Sequence, residues 1–252
     1  MKIILVGASG KMGREVTKFV LDTPHDIVAE IDSHFITIKC DKQSVKQNNS
    51  LNEIINNATT KESSQNKTII SNNIFDAPPA DVIIDFSTAS SRKDFIAFAK
   101  EKGLAYCLFS TAVSRADLKR LKTISKTNRV LISSNTSRGI QAVLRLTDVL
   151  TSELCGADIR ISEAHHKLKK DRPSGTALIL KKYFENSKSN IEINSIRAGN
   201  VCGTHTLSFY LDNEVLTITH EVLNRSVFAS GAVKIAEKLL ECSPGFYEDF
   251  LN

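Results

Sequence analysis

Short apolar runs alternate with helical patterns over the first half of the chain, and this alternation constrains the fold more than any other feature. Strands are predicted at residues 3–6, 27–31, 68–70, 82–87, 104–109 and 130–132. Helices are predicted at residues 12–21, 87–102 (ending at Gly103) and 116–126 (capped by Ser114). Continuous apolar strands joined by helices are typical of a parallel sheet that is covered on both faces. The first half of the chain is therefore predicted to form a doubly wound α/β domain.

A glycine-rich turn joins the first predicted strand to the first helix. It reads Gly7-Ala8-Ser9-Gly10-Lys11-Met12-Gly13, a G-x-x-G-x-x-G spacing instead of the commoner G-x-G-x-x-G. Glycines let backbone amides approach a pyrophosphate at a helix N-terminus, and an acid after the next strand, here Asp32, binds the adenine ribose hydroxyls. The pattern predicts a Rossmann-type nucleotide site. Asp32 favours NAD over NADP, but Lys11 leaves NADP open, because its charge would offset that of a 2′-phosphate.

The carboxyl ends of parallel strands meet at one edge of the sheet, and ligands of this fold bind there. That edge gathers the glycine turn, Asp32 and the segments that follow two later strands. The residues predicted to bind the cofactor are Gly7, Ala8, Ser9, Gly10, Lys11, Met12, Asp32, Phe109, Ser110, Thr111, Ser133, Ser134, Asn135 and Thr136.

The pattern changes after Asn135, which predicts a domain boundary at residue 136. An amphipathic helix at 140–154 precedes predicted strands at 158–162, 191–197, 205–211 and 215–222, the last two joined by a hairpin signal. Residues 137–228 are predicted to form a second, α+β domain with an open mixed sheet. Residues 1–136 would form the dinucleotide-binding domain, and a helix at 229–241 is expected to bring residues 229–252 back onto it.

A basic segment in the second half carries side chains that could do chemistry. His165 and His166 titrate near neutral pH, and Lys169 can donate a proton or hold an anion. The Pro173-Ser174-Gly175-Thr176 turn opens a helix whose first amides can bind a carboxylate or phosphate. A solvated basic loop is the plain alternative. A nucleic-acid patch would need interleaved aromatic residues, and zinc would need further ligands at suitable spacing. The capped turn favours a small anionic substrate that must be protonated.

This segment resembles the signature of a known enzyme family. The pattern Glu163-Ala164-His165-His166-x-x-Lys169-x-Asp171-x-Pro173-Ser174-Gly175-Thr176-Ala177 is similar to that of the 4-hydroxy-tetrahydrodipicolinate reductases (dihydrodipicolinate reductases). The similarity extends to the glycine turn, Asp85-Phe86-Ser87, Asn135 and the segments 197–199, 203–206 and 228–233. It therefore covers nearly the whole chain.

The resemblance implies a reaction and a set of roles. The enzyme would reduce 4-hydroxy-tetrahydrodipicolinate to tetrahydrodipicolinate with loss of water, using NADH or NADPH, in diaminopimelate and lysine biosynthesis. His165 and Lys169 would be the acid/base groups, and His166, Gly175 and Thr176 would bind the dicarboxylate substrate. Family members are typically homotetramers assembled through the sheets of the second domain. No metal, nucleic acid or membrane is implied.

Three departures from the family pattern concern the cofactor. The family usually has Gly-Thr-Thr-Gly where this chain has Phe109-Ser110-Thr111-Ala112, and a Phe is expected to narrow the approach to the nicotinamide. Thr136 stands where an aromatic residue often follows the Asn. Ser33 replaces the Arg that often follows the acid of the second strand, which weakens the prediction of tight NADP binding.

Composition adds a cellular setting and leaves two alternatives. The net charge is +5 and hydrophobic residues make up 41%, as in an ordinary globular protein, and no run is long enough to span a membrane. Five scattered cysteines and a strand-like N-terminus without a signal peptide predict a cytoplasmic protein. The Asn- and Ser-rich residues 33–73, with a helix-like piece at 51–55, are interpreted as a variable surface excursion. The alternatives are another two-domain semialdehyde dehydrogenase and a nucleotide-sensing regulator without catalysis. The dehydrogenase would need a nucleophilic Cys or a different Lys/Asp pair near the nicotinamide, and none of the five cysteines is expected in such a context.

Overall fold

The computed structural model describes residues 1–33, 68–88, 91–110, 113–185, 187 and 189–248. The helix-like piece at 51–55 and the predicted cofactor residue Thr111 lie outside these ranges, as does most of the predicted surface excursion. In the described part of the chain, no helix is both long and apolar enough to cross a bilayer.

The described residues form two sheets with helices around each. Strands of the larger sheet, in chain order, are β1 (Lys2–Val6), β2 (Asp26–Ile31), β3 (Ile69–Ser71), β4 (Val82–Asp85), β5 (Ala105–Leu108), β6 (Arg129–Ile132) and β11 (Gly245–Glu248). Strands of the smaller sheet are β7 (Asp158–His165), β8 (Ile191–Arg197), β9 (Thr204–Tyr210) and β10 (Val215–Glu221). The helices are α1 (Lys11–Val20), α2 (Arg92–Lys102), α3 (Arg115–Ile124), α4 (Arg138–Glu153), α5 (Gly175–Phe184) and α6 (Ser226–Glu241).

The larger sheet is parallel and doubly wound, which confirms the predicted fold class. Its strand order is β11-β6-β5-β4-β1-β2-β3. Side chains alternate between its two faces, so Ile3 and Leu5 pack with α1 and α6, whereas Ile4 and Val6 pack with α2 and α3. The C-terminal helix α6 therefore lies in the core of the first sheet, beside α1.

The smaller sheet is mixed, with strand order β10-β9-β7-β8. Strand β7 pairs parallel with β8 and antiparallel with β9. Helices α4 and α5 cover one face, and residues such as Leu144, Leu180 and Phe209 form its core. The opposite face carries no helix among the described residues.

The predicted boundaries of helix α2 and strand β7 were wrong by more than two residues, and one strand was missed. Helix α2 begins at Arg92 and not at Ser87, because the backbone of Ser87 is bonded elsewhere: its N–H donates to Asp85 and its carbonyl accepts from Arg92. Strand β7 extends beyond residue 162 to His165, since both of its neighbours continue to pair with it. The short strand β11 was missed, although it joins the first sheet parallel to β6.

Candidate active site

The glycine turn packs too closely to admit side chains. Gly7 has a φ of +77°, and a Cβ there would lie 3.0 Å from the backbone of Phe86. A Cβ on Gly13 would lie 2.4 Å from the Gly7 carbonyl oxygen. Gly10 precedes α1 and offers no side-chain cap, so the first amides of the helix are left for another acceptor. This turn fits the phosphates of a dinucleotide.

Asp32 lies beside this turn, directly after β2. The backbone N–H and the hydroxyl of Ser9 both donate to its Oδ2, at 3.1 and 2.6 Å. The two residues line a cavity of about 220 Å³ together with Gly7, Gly10 and Ser87. The carboxylate is thus fixed at the place where the sequence predicts an adenine ribose.

A buried network that sequence reasoning missed holds the loop after β4 against this cavity. Asp85 accepts from the Ser87 N–H at 2.6 Å and from the Tyr106 hydroxyl at 2.5 Å. The fully buried Arg92 lies between Asp85 and Asp117, at 3.5 Å from each. Burial raises the pKa of Asp85, although the hydrogen bonds from Ser87 and Tyr106 oppose the rise. The signal available in the sequence was Asp85 at the end of an apolar strand, with Arg92 and Tyr106 further along the chain.

A second cavity, of about 240 Å³, lies between the two sheets. Residues from the carboxyl edge of the first sheet line one side of it, and the basic segment lines the other. Of the predicted site residues, it is lined by Met12, Phe109, Ser134, Asn135, Thr136, His165, His166, Lys169, Gly175 and Thr176. The structure therefore brings the predicted acid/base pair and most of the predicted nicotinamide-side residues together.

Four predicted cofactor residues line neither cavity. Ala8 and Ser133 are buried in the protein, Ser110 is partly buried after β5, and Lys11 is exposed at the start of α1. The charge of Lys11 nevertheless contributes to the field at His166.

His165 is the last residue of β7 and is held by the buried Glu163 two residues earlier. The His165 Nδ1 lies 2.5 Å from Glu163 Oε2, and the Arg197 guanidinium donates to both carboxylate oxygens at 2.8 Å. Burial alone would raise the pKa of Glu163, but the bonds from Arg197 and His165 outweigh it and lower the pKa to about 2. Glu163 is therefore ionised at neutral pH and can only accept, so the proton on this side of the ring belongs to Nδ1.

Cations and burial set the protonation of both histidines. Burial lowers the pKa of His165, the bond to Glu163 opposes that change, and Lys169 reinforces it. Burial and the charges of Arg225 and Lys11 lower the pKa of His166. Lys169 itself forms an ion pair with Asp171 at 2.8 Å. Arg225, which precedes α6 and was not singled out from the sequence, adds positive charge near His166.

Helix α5 begins against this cavity. The Ser174 hydroxyl accepts from the Ala177 N–H at 3.2 Å and caps the helix, as the sequence predicts. The Thr176 hydroxyl accepts from the Asn135 side-chain amide at 2.9 Å. This bond joins the edge of the first sheet to the start of α5 and fixes the distance between the two sides of the cavity.

His205 is a buried histidine of this site that sequence reasoning did not single out. Its ring contacts that of His165 edge to face, at 5.2 Å between centroids, and its Nε2 lies 3.1 Å from the Ser174 hydroxyl. Burial, and then the charge of His165, lower the pKa of His205 to about 3. His205 is therefore neutral at physiological pH.

Two of the three departures from the family pattern, Phe109 and Thr136, have structural explanations. The Phe109 ring is mostly buried, packs on Phe86 at 5.4 Å between centroids and belongs to the core beneath α6. The Thr136 hydroxyl donates to the Phe228 carbonyl oxygen at 2.7 Å and so fastens the start of α6. The expectation that no Cys lies near the nicotinamide was wrong: Cys202, in the segment that leads into β9, lines the second cavity.

Comparisons with known proteins cover the whole of this architecture. Family models described as "Dihydrodipicolinate reductase, N-terminus" and "Dihydrodipicolinate reductase, C-terminus" match residues 1–136 and 139–250. The chain is 41% identical over 174 residues to a 4-hydroxy-tetrahydrodipicolinate reductase of Bdellovibrio bacteriovorus, covering 68% of this chain and 76% of that one. A reductase of the same name from Caldanaerobacter subterraneus is 31% identical and covers 98% of this chain and 96% of its own.

A solved structure has the same fold. It is a dihydrodipicolinate reductase from Paenisporosarcina sp. with dipicolinate bound, with a TM-score of 0.72 and 18% identity, covering 98% of this chain and 97% of that one. Since the two family models together match nearly every residue, the chain belongs to the dihydrodipicolinate reductase family.

Proposed function

We propose that the protein catalyses the NADH- or NADPH-dependent reduction of 4-hydroxy-tetrahydrodipicolinate to tetrahydrodipicolinate and water. The observation that carries this proposal is the shared cavity. His165 and Lys169 line it from one side, and Met12, Phe109 and Asn135 line it from the carboxyl edge of the parallel sheet. An acid/base pair facing a nucleotide-binding edge is what a reduction coupled to proton transfer needs. The reaction belongs to diaminopimelate and lysine biosynthesis.

We assign the cofactor to residues 1–136 together with 229–252. Asp32 and Ser9 would bind the adenine ribose, and the Gly7–Gly10 turn with the start of α1 would bind the pyrophosphate. Met12, Phe109 and Ser134 to Thr136 would surround the nicotinamide, which supplies the hydride when it is bound. The packing around Gly7 and Gly13 supports this assignment, because any side chain there would fill the space the phosphates need.

We assign the substrate to residues 137–228. A dicarboxylate entering the cavity meets Lys169, His166 and the amides of Gly175 and Thr176 at the start of α5. Lys169 would break its ion pair with Asp171 and bind one carboxylate of the substrate instead. Binding two anionic groups at fixed points would orient the ring of the substrate toward the first sheet.

In this proposal, His165 supplies a proton at the substrate. Its Nδ1 is committed to Glu163, so Nε2 is the nitrogen left to transfer a proton. Lys169, its neighbour in the cavity, would share the acid/base role. A positioned proton donor contributes roughly 10²–10⁴ in rate.

The proposed assembly is a homotetramer formed through the smaller sheet, in the cytoplasm. The open face of that sheet carries rows of short hydroxyl side chains. Thr206 lies 3.1 Å from Thr219, and Ser208 lies 3.3 Å from Thr217. Exposed Val215 and Ile196 border these rows. Small, β-branched side chains on an uncovered sheet face suit packing against a second sheet.

Turnover tests the proposal against its alternatives. Purified protein should oxidise NADH or NADPH when freshly prepared 4-hydroxy-tetrahydrodipicolinate is added, and should not do so with an aldehyde in its place. Oxidation with a semialdehyde would favour the other dehydrogenase class. Cofactor binding without turnover at any substrate concentration would favour the regulator, for which the buried Phe109 ring gives no structural support.

A further inference from the structure

We propose that Glu163 is a positioning residue for the reaction, with Arg197 as its support: its carboxylate fixes the His165 ring and stabilises the protonated form that donates to the substrate. This inference rests on the proposed function, and it assigns to two residues a role in proton transfer that the motif alone does not give them.

Glu163 lies behind His165 on the same strand. Glu163 and His165 are two residues apart on β7, so their side chains point to the same face of the sheet. Glu163 is almost fully buried, whereas His165 reaches the cavity. The carboxylate therefore lies behind the imidazole and out of contact with the cavity lining, which is the arrangement of a carboxylate that orients a catalytic histidine.

Hydrogen bonds to both oxygens prevent the Glu163 carboxylate from rotating. Oε1 accepts from Arg197 at 2.8 Å and from the Ser174 N–H at 3.2 Å, and Oε2 accepts from Arg197 at 2.8 Å and from His165. Arg197 in turn donates to the carbonyl oxygens of Asp171 and Ile196, at 2.6 and 2.7 Å. Both oxygens are thus occupied by donors from β7, β8 and the start of α5, and the ring they hold is fixed with them.

The negative charge of Glu163 also favours the protonated form of His165. The burial of His165 and the positive charges of Lys169 and Arg197 disfavour its protonation. The neutral ring of His205 packs against it and adds no compensating negative charge. Glu163 is the carboxylate in direct contact with the ring. An imidazolium in this setting depends on that single negative charge, so loss of the charge should make His165 a weaker base and a scarcer donor at neutral pH.

Space on the other side of the ring agrees with this role. A Cβ on Gly203 would lie 3.1 Å from His165 Nε2. The absence of a side chain at this position keeps Nε2 open to the cavity. Glu163 and Gly203 together define which ring nitrogen is held and which is available.

The experiment replaces Glu163 by Gln and follows the pH dependence of kcat. The matched control is Glu101→Gln, which removes an exposed carboxylate that pairs with Lys102 on α2, away from both cavities and from the smaller sheet. In Glu163→Gln the pH at which kcat declines should move down by about one unit, so that kcat at pH 8 drops by up to about tenfold while kcat near pH 5.5 changes less. The KM for NADH should stay within about twofold, and Glu101→Gln should match the parent.

Nuclear magnetic resonance of the His165 ring gives a second readout that needs no turnover. In the parent protein the neutral ring should carry its proton on Nδ1, and its pKa should be lower in Glu163→Gln. If the parent shows no turnover, the proposed function fails while this test still applies. If Glu163→Gln does not fold, the tautomer of the neutral His165 ring in the parent protein decides, because a proton on Nδ1 supports the inference. A pH profile parallel to that of the parent, an unchanged His165 pKa, or a ring protonated on Nε2 would overturn the inference.

Discussion

Two buried carboxylates organise the functional loops of this protein. Asp85 ends β4 and binds the backbone of the loop that borders the first cavity, and Glu163 near the end of β7 binds the histidine and helix start that border the second. Each is held by a buried or nearly buried Arg and by a further side-chain donor. A buried charge is costly unless its hydrogen bonds are complete, so removing one donor from either network should be measurable.

Tyr106→Phe tests the Asp85 network. The change removes the hydroxyl that donates to Asp85 and leaves a buried carboxylate short of one bond. The free energy of unfolding should fall by about 1–3 kcal/mol, measured by urea denaturation. Tyr247→Phe is the control, because its hydroxyl donates to the Ser243 carbonyl oxygen at an exposed site. An equally small change in the free energy of unfolding in both variants would show that the buried hydrogen bond stabilises the protein no more than the exposed one.

His165→Gln tests the proposed proton donor. The variant should lower kcat by roughly 10²–10⁴ and change the affinity for NADH little, because the adenine ribose and the pyrophosphate are assigned to the first cavity, which His165 does not line. Steady-state kinetics and fluorescence titration with NADH measure the two quantities. His25→Gln, at the opposite edge of the sheet, should behave as the parent. Unaltered turnover in His165→Gln would remove the residue from the mechanism.

Asp32→Ala tests the ribose assignment. The carboxylate would accept hydrogen bonds from the ribose hydroxyls of NADH but repel the phosphate of NADPH, so the KM for NADH should rise about tenfold or more and that for NADPH should rise less. Ser9→Ala is the matched control, since it removes one bond to Asp32 and keeps the charge. Equal losses for both cofactors in Asp32→Ala would contradict the assignment.

At the level of elements, the close approach of α1 to the glycine turn matters most. A methyl group on Gly13 would meet the backbone of Gly7 and Ala8 at 2.4–2.6 Å, and none of these atoms can turn away as a side chain could. Helix α1 would have to move outward, and with it the amides proposed to bind the pyrophosphate.

Gly13→Ala should therefore weaken NADH and NADPH binding alike and lower the free energy of unfolding by about 1–3 kcal/mol. Isothermal titration and urea denaturation measure the two effects. Lys18→Ala, exposed near the end of the same helix, is the control. A Gly13→Ala protein with parent-like affinity for both cofactors would show that the packing of this turn is not needed for binding.

The sequence predicted most elements because their hydrophobic periodicity is strong. The alternating runs from Ile3 to Ile132 identified the parallel sheet, and the Ser114 and Ser174 caps marked two helix starts. The failures share one physical cause, which is that tertiary bonds override local signals. Ser87 resembles a helix cap, but Asp85 and Arg92 bind its backbone, and β7 continues through polar residues because β8 and β9 pair with them.

The site could be predicted in its motif residues but not in the residues that support them. His165, Lys169 and Thr176 belong to a recognisable pattern, and the structure brings them into one cavity with Asn135. Arg197, His205 and Tyr106 are far away in sequence, and only the register of β7 with β8 and β9, or of β4 with β5, brings them close. No local pattern encodes those registers.

For the whole molecule, buried neutral histidines couple folding to pH. The pKa of His205 is about 3, and burial also lowers the pKa values of His165 and His220. The unfolded chain binds protons at these positions near pH 6.5, whereas folded His205 stays neutral and folded His165 and His220 bind protons only at a lower pH, so stability is lost as the pH falls below 6.5. Glu163, with a pKa of about 2, adds a further loss as the pH falls below 4.5.

Urea denaturation between pH 7.5 and 5 checks this coupling. The free energy of unfolding should fall with pH by up to about 1.4 kcal/mol per unit for each such histidine. His205→Gln should reduce that slope. A free energy of unfolding that stays constant over this pH range would show that the buried histidines are protonated in the folded protein.

The two sides of the second cavity, the carboxyl edge of the parallel sheet and the basic segment, are proposed to bind cofactor and substrate facing each other. A crystal structure of the protein with NADH and dipicolinate tests this arrangement most directly. We expect the dicarboxylate to contact Lys169 and the amides of Gly175 and Thr176, with His165 Nε2 on the side of the nicotinamide ring. A dicarboxylate bound elsewhere, or His165 and Lys169 turned to solvent away from the pyridine ring, would contradict the account.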